Sequence, residues 1–123
     1  MKAMLLGALL FVLVLPAVAA ADEGEDVRVT GRCTGSSHAS LRLQDENGSI
    51  RVELEIETRA RLAPWRVILV HERRIALRKS LRTGASNRRL RLRTTVPDWF
   101  GADTIVVRAT GPRRESCRAT ATI

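Results

Sequence analysis

Between Ser49 and Thr58 the apolar residues Ile50, Val52, Leu54 and Ile56 alternate with Arg51, Glu53, Glu55 and Glu57. That period of two describes a β-strand with one face in a core and the other in water. Such a strand cannot stand alone, because its apolar row needs a second layer and its backbone needs partners on both edges. The chain must be a layered β structure, and the same alternation marks the remaining strands.

Val27, Val29, Gly31 and Cys33 share one phase of a first strand, and His38–Gln44 follows with Leu41 and Leu43 inward. Asp45-Glu46-Asn47-Gly48 then joins His38–Gln44 to Ser49–Thr58, its Asn-Gly supplying the positive φ angles of a tight hairpin. After Pro64, Trp65–Val70 is apolar on both faces, which marks a central strand. Ile75–Leu81 is shorter, with Ile75 and Leu77 in phase, and Arg89, Arg91 and Arg93 alternate with Leu90 and Leu92. Pro97–Asp103, rich in turn residues and carrying Trp99 and Phe100, reads as a connection crossing between sheets. Thr104–Thr110 and Glu115–Ile123 complete the chain, the latter with Cys117, Ala119, Ala121 and Ile123 inward. Seven to eight short strands without a helix after the N-terminus predict an all-β, two-sheet sandwich.

Ahead of this domain, Lys2, the apolar run Ala3–Leu15, Pro16 and the small residues 17–21 form a signal-peptide pattern, predicting a helix over 1–21 that is cleaved near residues 19–21. The apolar run has 13 residues, whereas a membrane-spanning helix needs roughly 20. No membrane span is expected after cleavage. Residues 22–26 carry four acids and read as an unstructured tether, leaving 27–123 as one domain. In an exported chain the two cysteines, Cys33 and Cys117, are expected to pair. Closing so long a loop stabilises a fold by roughly 4 kcal/mol in the chain-entropy model.

Short motifs distributed over the whole domain carry a resemblance. They are Gly31-Arg32-Cys33-Thr34-Gly35-Ser36, Leu41-Arg42-Leu43, Gly48-Ser49-Ile50-Arg51-Val52, Pro64-Trp65-Arg66-Val67, Gly101-Ala102-Asp103-Thr104-Ile105 and the late Cys117. With them the domain resembles small secreted β-sandwich proteins of actinobacterial type that have no assigned activity. Where such proteins have an Asn-Gly turn after the Trp strand, this chain has His71-Glu72-Arg73-Arg74. The Trp strand, the crossing loop and the tie between first and last strands also resemble immunoglobulin and fibronectin type III topology, without the usual inter-sheet cysteines. That topology implies one sheet with Ser49–Thr58 beside Arg88–Val96 and His38–Gln44 on the other edge. Glu53, Glu55 and Glu57 then face Arg89, Arg91 and Arg93 across the sheet. The second sheet would hold Trp65–Glu72, Ile75–Leu81, Thr104–Thr110 and Glu115–Ile123. The resemblance implies fold and export, and supplies no substrate, cofactor or catalytic residue.

The residues offer little catalytic chemistry. The Glu53, Glu55, Glu57 row has the spacing of a carboxylate pair, but a flat solvated strand face lacks the cleft and burial that raise one pKa. His38 and His71 are the only imidazoles. Ser36 and Ser37 beside His38 point apart in an extended chain, and Asp98 and Asp103 lie outside any calcium-loop pattern. No enzyme activity, metal or cofactor is expected.

Binding is the stronger expectation, and two surfaces could carry it. Ile68, Val70 and Val106 fall on the outer face of the second sheet, where an apolar patch, joined by Trp99 and Phe100, would seat another exported protein. Arg73, Arg74, Arg78 and Arg82, with Arg113 and Arg114, form a basic region. Without Lys2 the chain has 20 basic and 13 acidic residues, and 19 of its bases are Arg. That balance fits an anionic polymer of a cell envelope, or only the Arg usage of a GC-rich genome at solvated positions. Nucleic acid is not expected, because so few aromatics are available to stack on bases.

Overall fold

The computed structural model describes residues 24–123, so the signal peptide expected at 1–21, and Asp22 and Glu23 of the expected tether, lie outside the described residues. The strands are β1 (Asp26–Thr30), β2 (Arg32–Cys33), β3 (His38–Glu46), β4 (Ser49–Glu57), β5 (Pro64–His71), β6 (Arg74–Arg82), β7 (Arg89–Pro97), β8 (Thr104–Thr110) and β9 (Ser116–Thr122). They form two antiparallel sheets in a sandwich, one ordered β1-β3-β4-β7 and the other β2-β9-β8-β5-β6. Pro112–Arg114 forms a single 3-10 turn.

The inward rows of both sheets close one core in which Trp65, Leu43, Ile50, Ile56, Leu69 and Ile105 are fully buried. At the first hairpin Asn47 and Gly48 take φ of 45° and 85°, the left-handed pair that matches strand twist. The second hairpin does the same without Asn or Gly: Glu72 has φ 48° and Arg73 has φ 65°. Its strain is offset by two bonds to β8, the Glu72 amide donating to the Thr104 carbonyl and the Glu72 carboxylate accepting from the Thr104 amide.

Two expectations from the alternation need correction. The first strand is not continuous, because the chain changes sheets at Gly31, β1 pairing with β3 and β2 with β9. A Cβ at Gly31 would stand 2.9 Å from the Arg118 carbonyl and 3.0 Å from the Ala39 Cβ. The chain can pass between the sheets there only without a side chain. As a result β1 covers β3, which is not an edge, and Asp26 belongs to the strand rather than the tether. Ile75 and Leu77 are also out of phase, because the register shifts at Leu69/Val70. Leu77 pairs with buried Leu69, whereas Ile75 pairs with Val70 and is exposed.

Cys33 and Cys117 are joined in a disulfide with a Cα–Cα distance of 4.0 Å, directly opposed on β2 and β9. The staple lies within one sheet and fixes the first crossing strand to the last.

Candidate anion-binding face

The two sheets divide the charge unequally. The four strands β1, β3, β4 and β7 contain six arginines and six acids. The five strands of the other sheet contain seven arginines, one lysine and no acid. The excess positive charge of the strands is therefore carried entirely by the five-stranded sheet.

On the four-stranded sheet every charge row is answered. Glu53, Glu55 and Glu57 stand directly opposite Arg93, Arg91 and Arg89, with ion-pair distances of 3.8, 3.3 and 3.1 Å. On the other side Arg42 pairs with Asp26 at 2.7 Å and reaches Glu53 at 3.8 Å. Hydrogen bonding to Arg42 lowers the Asp26 pKa against a smaller effect of desolvation. A depression of about 360 Å³ on this face is lined by Arg42, Glu53, Glu55, Arg91 and Arg93. Arg28 lines it as well, and each of its four arginines is already paired with a carboxylate, Arg28 and Arg42 with Asp26, Arg91 with Glu55 and Arg93 with Glu53.

The outer face of the five-stranded sheet has the opposite character. Inward Cys117 and Ala119 turn Arg118 outward, inward Val107 and Ala109 turn Arg108 outward, and inward Leu69 leaves Ile68 on the outer face. In register, Arg32 opposes Arg118, Arg118 opposes Arg108, Arg108 opposes Ile68 and Ile68 opposes Arg78. One transverse row across five strands thus holds three successive arginines, then Ile68 on β5 and a fourth arginine on β6, and Arg66 stands one row away, opposite Thr110 and Ser80. Among the described residues none of these five arginines makes an ion pair. Like charges placed directly opposite destabilise a sheet. Arginine usage alone would scatter bases over both sheets; it does not account for every strand acid lying on one of them.

Of the basic residues singled out in the sequence, Arg78 lies in this row, Arg74 starts β6 and Arg73 sits in the hairpin turn. Arg113 and Arg114 are at the other end of the sandwich, both with left-handed φ. Arg32, Arg66, Arg108 and Arg118 were not legible as a group, being distributed over four strands far apart in sequence. Val70, Val106 and Ile75 form the adjacent row of the same face, with Val70 and Val106 half-buried and Ile75 51% exposed. The apolar patch and the basic region are therefore neighbouring bands of one surface. Lys79 lies in the inward register of edge strand β6, where a charge discourages edge-to-edge pairing.

At the end of the sandwich His71 is 1% exposed and its Nε2 lies 2.7 Å from Oδ1 of Asp103, which is also 1% exposed. Trp99 stacks on the imidazole with ring centroids 3.9 Å apart, and its amide donates to the same Oδ1. Phe100 is fully exposed at the loop tip. Burial opposes ionisation of Asp103, but hydrogen bonds from His71, Asp98 and the Trp99 amide outweigh it and lower the pKa. Asp98 is raised, chiefly by hydrogen bonding with Asp103 and then by desolvation. The group ties the crossing loop to β5. His38 and Ser37 form no such cluster: His38 is exposed opposite Glu57, and Ser37 bonds Glu115.

Among the described residues no group of three or more His, Cys, Asp or Glu is placed to hold a metal ion, and no helix is long and apolar enough to cross a membrane. No protein-family model matches the chain, and no curated protein matches it.

Proposed function

We propose that this protein is an exported, noncatalytic binding module of the cell surface, of the immunoglobulin-like type, whose ligand is an anionic envelope polymer held on the outer face of the five-stranded sheet. The observation that carries this reading is the charge division between the sheets, with eight bases and no acid on the strands of one. A face on which like charges oppose one another costs stability, and an anionic ligand relieves that cost. Export is supported by the signal-peptide pattern at 1–21 and by the disulfide, a bond that persists in oxidising compartments. The immunoglobulin-like assignment is supported by two hairpins, β3-β4 and β5-β6, linked by crossing connections.

A second reading, docking of another exported protein, is favoured by the adjoining Val70, Val106 and Ile75 band. Retention of the mature domain on purified cell wall separates the two. Polymer binding predicts retention in about 0.1 M salt and release in about 1 M, where the screening length falls from about 10 to about 3 Å. Retention indifferent to salt contradicts the electrostatic reading.

A further inference from the structure

Resting on the reading of this face as an anion-binding surface, we infer that its ligand is a linear polyol phosphate, a phosphodiester chain without aromatic rings, lying across the five strands rather than along them. The orientation follows from the register. A chain running along β5, β8 or β9 meets one cation on the outer face, Arg66, Arg108 or Arg118, and one running along β6 meets two, Arg78 and Arg82. A chain running across the strands meets Arg32, Arg118, Arg108 and Arg78 in succession. Neighbouring strands are about 4.8 Å apart, so this track is about 19 Å long from Arg32 to Arg78.

The chemistry of the track selects the ligand class. A guanidinium matches two oxygens of a phosphodiester with parallel hydrogen bonds. Beside the arginine row lie the hydroxyls of Ser116, Thr110 and Ser80 on one side and Thr120 on the other, positioned for the free hydroxyls of a polyol. Between β5 and β6 a shallow depression of about 300 Å³ is lined by Arg66, Ile68, Arg78 and Ser80. It combines cations and a hydroxyl with an apolar floor for methylene groups. Among the described residues no Trp or Phe side chain lies on this face: Trp65 is buried in the core, and Trp99 and Phe100 are at the end of the sandwich. The face therefore has nothing on which bases or sugar rings can stack, and it reads charge and hydroxyls only.

Calorimetric titration of the mature domain tests the inference, using poly(glycerol phosphate) oligomers of graded length in about 0.1 M salt. Polygalacturonate and a single-stranded oligodeoxynucleotide of equal charge number are the comparisons. The glycerol phosphate oligomer spanning the track should bind most tightly. Arg32→Thr should weaken that oligomer about fivefold, leave a two-phosphate fragment unaffected, and be rescued by Arg32→Lys. Arg82→Thr, displaced along β6 from the row, should weaken it less than Arg32→Thr does; Arg51→Thr, on the four-stranded sheet, should change neither, and unchanged melting temperatures confirm that each variant folds. If Arg82→Thr weakens binding and Arg32→Thr does not, the transverse orientation is wrong. Equal or tighter binding of polygalacturonate or DNA overturns the polyol phosphate assignment while the anion-binding reading stands. If none of the three polyanions binds, that reading fails and takes the inference with it.

Discussion

Replacing Asp103 with alanine tests how the crossing loop is held. Asp103 and His71 are each 1% exposed and 2.7 Å apart, and the Trp99 amide shares the same carboxylate oxygen. The substitution leaves a buried imidazole and a backbone amide without their acceptor. Leaving a buried hydrogen-bonding group unsatisfied costs about 1 to 3 kcal/mol for each of the two, together a large part of the roughly 5 to 15 kcal/mol that holds a domain together. For a domain of about 100 residues each kcal/mol moves the melting temperature by about 4 °C or more. The expected loss is therefore about 8 °C or more at pH 7, read by circular dichroism. Asp103→Asn keeps a hydrogen-bond acceptor in place and should lose less. The lowered pKa of Asp103 contributes stability above the ordinary carboxylate value of 3.8, and that stability is lost as pH falls through the folded-state value. Asp98, raised, acts in the opposite sense, its contribution disappearing as pH rises through its own folded-state value. Both effects are lost with Asp103: as pH falls, protonation of Asp98 first widens the gap between wild type and Asp103→Ala, and the gap narrows only as Asp103 itself is protonated below the ordinary value of 3.8. A variant melting within about 4 °C of wild type at pH 7 would refute the buried pair as the anchor of the loop.

Other consequences are equally direct. With Cys33 and Cys117 separated by 84 positions, removing the disulfide by Cys33→Ala and Cys117→Ala should cost about 4.5 kcal/mol by the chain-entropy estimate. Urea titration measures it, and a loss below about 1 kcal/mol would show that the staple is dispensable. At Gly111 a Cβ would lie 2.5 Å from the buried Trp65 ring, so Gly111→Ala should destabilise by about 1 to 3 kcal/mol and shift Trp65 fluorescence. Arg118→Thr removes like-charge opposition from Arg32 and Arg108. It should leave the fold as stable as wild type or up to about 1 kcal/mol more stable, and a loss of more than about 1 kcal/mol would mean that Arg118 has a structural role.

Alternation was enough to locate most strands, because the inward rows of β3, β4, β7, β8 and β9 keep strict phase. It failed where phase and sheet part company. At Gly31 the alternation of Val27, Val29 and Cys33 runs unbroken although the chain has changed sheets. At β6 the spacing of Ile75 and Leu77 is that of a regular strand although the register shifts between them. The Glu72-Arg73 hairpin carries none of the usual turn residues, because its left-handed backbone is held by bonds to Thr104, a partner distant in sequence. The arginine row was hidden for a related reason: Arg32, Arg78, Arg108 and Arg118 become neighbours only once the registers of five strands are known. The His71 and Asp103 contact likewise joins residues 32 apart, and no local pattern announces it.

The account rests on an anion-binding face confined to one sheet. Two charge reversals on that sheet, Arg108→Glu with Arg118→Glu, can be set against two on the other, Arg28→Glu with Arg51→Glu, in equilibrium binding to a soluble anionic polymer. The net charge of the two variants is the same. The account predicts that the first pair abolishes binding and that the second retains most of it. Equal loss from both pairs would mean that the polymer responds only to total charge, and would contradict a binding face on the five-stranded sheet.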